Sequence, residues 1–165
     1  TSLTQLHVSS LSLSTLTLNN TITMLDIQGS ALSSLTIPNS VTVIGNIKNC
    51  ANLTSLTFGD NVKSVSKFTS TGWYKEQPDG LLYLDNWLIG YKGSEPRGEV
   101  VIAEGTTHID GGALMYNQSI TSVFIPKSVI YIGNYFLRFC TGLTSLSVDL
   151  DNPIYDSREN CNAIN

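Results

Sequence analysis

Charge is what this chain has least of. Asp, Glu, Lys and Arg make up 13% of its 165 residues, about half of the roughly 25% usual in globular domains. The nine Lys and Arg form no cluster and are outnumbered by 13 Asp and Glu, leaving −4 at pH 7. Nucleic acid, whose phosphates call for closely spaced cations, is therefore not an expected partner. No apolar run approaches the roughly 20 residues that span a bilayer, and no secretory leader is recognisable. The chain starts at Thr1 without Met and stops at Asn165, directly after Ala163 and Ile164. It reads as a piece of a longer protein.

Reactive constellations are equally scarce. The cysteines, Cys50, Cys140 and Cys161, form no CxxC and no Cys/His cluster of the kind that holds zinc. His7 and His108 stand apart, each beside an apolar position, as histidines on a strand face do. There is no G-x-S-x-G elbow. Asp149, Asp151 and Asp156 do not have the spacing of an EF-hand calcium loop and read as turn formers. No catalytic residue, cofactor or metal is expected, and the chain reads as non-enzymatic.

Ser, Thr and Asn take the place of the missing charge, which favours short strands and tight corners. Against that polar background two ladders of apolar pairs recur. The first is Leu16/Leu18, Leu35/Ile37, Leu56/Phe58, Val100/Ile102, Val123/Ile125 and Leu146/Val148. Its spacing of two puts both side chains on one face of a strand. The second ladder, spaced by three, is Leu3/Leu6, Ile22/Leu25, Val41/Ile44, Val62/Val65, Thr106/Ile109 and Val129/Ile132. That spacing admits either a twisted strand or a 3₁₀ turn. The steps are 19, 19 and 21 residues towards the N-terminus and 23 towards the C-terminus. Fixed periods in this range mark a solenoid, in which each coil buries its apolar face against its neighbours. The expected fold is a β-rich solenoid with coils of about 19–23 residues, parallel strand ladders and short 3₁₀ or helical turns, forming a single domain over residues 1–165.

The longer coils carry extra residues, 112–117 and 135–140, which suit one helical turn closing the coil edge. Between Leu56 and Val100 the expected middle repeat is missing. In its place DGLLYLDNWLIGYKG, residues 79–93, alternates around Asp85-Asn86 as a β-hairpin does. The insertion spans about residues 73–98, and the hairpin is expected to fill one coil's place and project beyond its outline.

The phrase LTSLTIPxSVxxIGxxxFxxC, carried across residues 32–50 and 120–140, resembles the BspA-like bacterial leucine-rich repeats. The tail from Asn152 to Ile164 and the hairpin stretch are similar to segments of such proteins from Bacteroides-type bacteria. The resemblance covers nearly the whole chain and is strongest from Leu32 onward. It implies a secreted or cell-surface adhesin-like protein, extracellular, that binds host or bacterial surface proteins without catalysis. A glycan-binding module and an accessory domain of a larger secreted enzyme are the alternatives.

Aromatic residues are the leading candidates for partner contact, because Trp and Tyr bury large areas with few rotors. Trp73, Tyr74, Tyr83, Trp87 and Tyr91 concentrate in or beside the hairpin, and Phe124 interrupts an outward file of Ser and Thr. The competing role for the hairpin rings is to cover the coil edge where the repeat is broken. Cys50 and Cys140 end equivalent coils several rungs apart, too far for a disulfide. A pairing of Cys140 with Cys161 stays open.

Overall fold

The computed structural model describes residues 3–65 and 68–157. The chain forms two compact units, Thr1–Pro78 and Asp79–Asn165, with the boundary inside the expected insertion. Cys161 lies outside the described residues.

Unit 1 contains β1 (Gln5–Ser9), β2 (Met24–Gln28), β3 (Ser34–Thr36), β4 (Val43–Lys48), β5 (Ser55–Thr57), β6 (Ser64–Val65) and the short helix α1 (Gly72–Glu76). Strands β1, β2, β4 and β6 form one parallel sheet in that order. Its register aligns Leu6, Leu25, Ile44 and Val65, reproducing the steps of the second ladder. The first ladder appears as the parallel pair β3–β5, with Leu35 opposite Leu56. Leu16 and Leu18 are half-buried and lie outside any strand, in the region that lacks the Ile-Pro-x-Ser-Val phrase. Leu25, Ile27, Leu32, Ile44, Ile47 and Leu53 are fully buried, each contributing about 1.5–3 kcal/mol by leaving water.

The spacing of three has a simple cause. The N–H groups of Ile22, Val41 and Val62 donate to carbonyls three residues earlier, on Asn19, Pro38 and Gly59. The first residue of each pair thus closes a turn at the coil corner, and the second lies in the strand. The glycine in the Ile-Gly part of the phrase also has a steric reason. A Cβ on Gly45 would come within 3.0 Å of Asp26 Oδ2 on the preceding rung, and one on Gly133 would run into the backbone of Gly111.

Unit 2 contains β7 (Gly80–Leu84), β8 (Trp87–Lys92), β9 (Gly98–Val101), β10 (His108–Ile109), β11 (Ile120–Ile125), β12 (Tyr131–Ile132) and β13 (Ser145–Val148). β7 and β8 are the expected hairpin, antiparallel, with Leu84 opposite Trp87 across Asp85-Asn86. Asp85 takes the left-handed conformation, φ 51°, that a two-residue hairpin turn requires. β8 then runs parallel to β10, placing Leu88 beside Ile109, which in turn pairs with Ile132. The hairpin thereby supplies the missing rung, and β7 adds an antiparallel edge. The second sheet, β13–β11–β9, aligns Val100, Val123 and Leu146. Leu88, Ile109, Leu114, Ile120, Ile125 and Val129 form the centre of the core.

Two local expectations change. Residues 72–76, placed at the start of the insertion, are the helix α1 of unit 1, capped by Thr71, whose hydroxyl accepts from Tyr74 N–H at 3.1 Å. Residues 111–116 and 134–139 form turns rather than helix. Their backbone bonds alternate between i→i−3 contacts, such as Cys140 N–H to Leu137, and rung-to-rung contacts, Leu114 N–H to Phe136 and Tyr116 N–H to Arg138. Each coil thus gives up helical bonds for bonds to its neighbour.

Candidate functional site

Several coils have a corner where the backbone turns left-handed, and at most of these the next side chain is buried. In unit 1 the left-handed residues are Gly29, Asn49 and Ser70, at φ 62°, 57° and 72°, and each precedes a buried small residue, Ser30, Cys50 or Thr71. In unit 2 the equivalent residues, 23 apart, are Gly93, Tyr116 and Phe139, at φ 77°, 68° and 62°. The last two precede buried Asn117 and Cys140.

The inward residues tie the corners together. Ser30 Oγ donates to Cys50 Sγ at 3.2 Å, and Cys140 Sγ donates to the Leu114 carbonyl at 3.1 Å. Asn117 donates to the Pro96 carbonyl and accepts from the N–H groups of Ser119 and Ile120. These side chains satisfy corner groups that burial would otherwise leave unpaired. Cys50 and Cys140 are free thiols. Burial pushes the Cys140 thiol up, against an opposing hydrogen bond from Asn117, which suppresses the thiolate a nucleophile would need.

The outward residues differ between the units. Left-handed backbone costs a residue with a Cβ about 1–2 kcal/mol, and Gly or Asn is the usual occupant. Unit 1 follows that preference at Gly29 and Asn49 and puts the small Ser70 at its third corner, and the first two border a shallow polar depression lined by Ser9, Leu11, Gln28, Gly29 and Asn49. Unit 2 puts Tyr116 and Phe139 there, 60% and 48% exposed, with rings stacked at 4.9 Å and 16°. Tyr135, 65% exposed, is also left-handed at φ 71°. The exposed Arg138 guanidinium lies 4.7 Å from the Phe139 ring centre and 4.9 Å from that of Tyr135. Three large rings are thus displayed on strained backbone, outside the core cluster, with a cation held against two of them.

The residues singled out from the sequence lie elsewhere. Trp73 is 8% exposed and packs edge-on against Phe68 in unit 1, and its backbone N–H donates to the Leu53 carbonyl. Trp87 is 1% exposed and stacks on His108 at 4.5 Å, with Tyr131 beyond at 5.7 Å from His108. Both indoles are therefore occupied in packing. Tyr83, half-buried, packs on the core and accepts the Ala103 N–H at 3.1 Å; burial pushes its hydroxyl up, opposed by that bond. Tyr74 and Tyr91 are half-buried. Phe124 is half-buried on β11, in register with exposed Val101 and with Ser147. Trp73 and Tyr74 belong to unit 1, whereas Tyr83, Trp87, Tyr91 and Phe124 belong to unit 2 with the corner rings. Tyr135, Arg138 and Phe139 escaped sequence reasoning because they fell in a stretch assigned to closing the coil edge. The available signal was the one-residue offset from Cys140, which puts Phe139 where Asn49 stands beside Cys50.

Among the described residues no group of three or more His, Cys, Asp or Glu is placed to hold a metal ion. No described helix is long and apolar enough to cross a membrane.

The family model for BspA type leucine-rich repeat regions matches residues 27–71 and 91–162, with six copies. Among solved structures, a leucine-rich repeat protein from Eubacterium ventriosum is similar, at 20% identity and a TM-score of 0.33. The match covers 78% of this chain and 40% of that one. No curated protein matches.

Proposed function

We propose, since the chain belongs to the BspA-type leucine-rich repeat family, that it is a non-enzymatic protein-interaction module displayed outside a bacterial cell, where it acts as an adhesin-like protein on host or bacterial surface proteins. The observation that carries this reading is the exposed set Tyr116, Tyr135, Arg138 and Phe139. Tyr and Arg dominate the contacts that hold protein interfaces together. Here Tyr116, Tyr135 and Phe139 stand on left-handed backbone, at which folding alone favours Gly or Asn, with Arg138 between two of the rings. Phe124, beside exposed Val101 on the three-stranded sheet, is a second contact surface.

Capture on immobilised chain of a defined panel of host-matrix and bacterial surface proteins tests this reading. Saturable binding to one panel member, competed by free chain, is expected. Binding confined to a glycan array would replace the protein-module reading with a glycan-binding one.

A further inference from the structure

We infer that Tyr116, Tyr135, Arg138 and Phe139 receive an acidic peptide segment in which a carboxylate side chain is flanked by an apolar or aromatic one. The inference rests on the protein-interaction reading above and names the chemistry of its partner. Arg138 is the first reason. Its guanidinium is exposed, held against two rings at 4.7 and 4.9 Å, and has no carboxylate partner among the described residues. Rings on a guanidinium restrict its rotamers and leave its planar edge of N–H donors outward, the geometry that a carboxylate meets with two parallel hydrogen bonds. A cation that meets no acid among the described residues, in a chain with 13 Asp and Glu against nine Lys and Arg, is available to an acid from elsewhere.

The rings beside it are the second reason. Phe139, next to Arg138 in the chain, and Tyr116, one rung away, present adjoining exposed apolar area, so a side chain next to the carboxylate lands on them. Phe139 already has Tyr116 and Arg138 against its ring, and Tyr135 has Arg138. With Tyr116 and Arg138 both against Phe139, an incoming side chain meets the edge of that ring beside the guanidinium fork, which suits a peptide carrying a carboxylate next to an apolar residue. The chain's charge of −4 does not oppose the contact at close range, because physiological salt screens charges beyond about 8 Å.

The third reason is strain. Three of the six non-glycine left-handed residues described, Tyr116, Tyr135 and Phe139, are exposed rings of this one group. Unfavourable backbone concentrated at one surface site is a mark of function rather than of folding.

The test uses a synthetic peptide array carrying Asp or Glu beside Leu, Phe or Tyr, each matched by an Asn or Gln peptide, together with uronic-acid oligosaccharides. The intact chain should bind acidic–apolar peptides at least about tenfold more strongly than their amide matches. Arg138→Gln should remove that preference, Arg138→Lys should weaken it for want of a bidentate fork, and Tyr116→Gly with Phe139→Gly should abolish retention. Lys127→Gln, which removes another exposed cation, should change nothing. Equal binding to acidic and amide peptides, no peptide binding, or retention of oligosaccharides alone would each overturn the inference. A panel protein captured equally by native chain and Arg138→Gln would leave the interaction-module reading standing and remove this site from it.

Discussion

The two units handle the same structural problem with different side chains. At the left-handed corners of unit 1 stand Gly29, Asn49 and Ser70; in unit 2 stand Gly93, Tyr116 and Phe139. Behind both, a small inward residue anchors the corner: Ser30, Cys50 and Thr71 in one, Asn117 and Cys140 in the other. Since the inward side is conserved in kind between the units, the fold does not demand large rings outside. The difference separates what the coil needs, which unit 1 displays, from what unit 2 adds to it. A repeat protein can vary exposed corners freely because each coil's stability comes from its apolar ladder and its neighbours.

The largest effects should fall where the units are alike. Ile44→Asp in unit 1 and Ile125→Asp in unit 2 each bury an unpaired charge at a fully enclosed position, and each should cost several kcal/mol in denaturant unfolding. Thr57→Asp, on the exposed side of β5, should cost far less. If either core position tolerated the charge as well as Thr57, the shared ladder would be wrong for that unit.

Asn49→Tyr, which gives a unit 1 corner the kind of residue found in unit 2, should destabilise by about 1 kcal/mol, whereas Asn49→Gly should be near neutral. A gain in stability from the tyrosine would mean that rings at these corners serve folding after all, and the contrast between the units would dissolve.

A smaller difference lies in Asp26 of unit 1. Burial alone would raise its carboxyl, but hydrogen bonds from Gln28 and Asn46 and the nearby His7, whose Nδ1 is 3.4 Å away, outweigh this and hold it below the usual value of 3.8. A depressed folded value means the ionised form supports the fold, so the contribution is full above pH 4 and is lost as pH falls through the folded value. Acid unfolding of Asp26→Asn should therefore show a shallower fall in stability below pH 4 than the native chain. An unchanged profile would assign the acid sensitivity to other carboxylates.

Much of the fold was legible because burial follows sequence period. The alignment of Leu25 with Ile44, or of Val123 with Leu146, is readable as a step of 19 or 23 residues, and the Asp85-Asn86 turn announces its hairpin. The turns at 111–116 and 134–139 were less legible, since whether a coil bonds to itself or to its neighbour depends on stacking that local sequence does not encode. Trp73 and Trp87 are the largest apolar side chains near the break in the repeat, and burying them lowers the free energy most. The corner rings were obscured for a different reason. Left-handed backbone is readable from Gly29 or Gly93, but a Tyr or Phe in that conformation carries no local mark of it.

The claim that the unit 2 corner rings are not held for folding is tested most directly by denaturant unfolding of the Tyr116→Gly, Phe139→Gly double variant. Relief of left-handed strain at two sites, about 1–2 kcal/mol each, opposes the greater chain entropy of glycine and the lost ring and cation contacts, about 0.5–1.5 kcal/mol each. The expected result is a stability within about 1 kcal/mol of the native chain. A loss of about 3 kcal/mol or more, the scale of truncating a buried core side chain, would contradict it and return these rings to the fold.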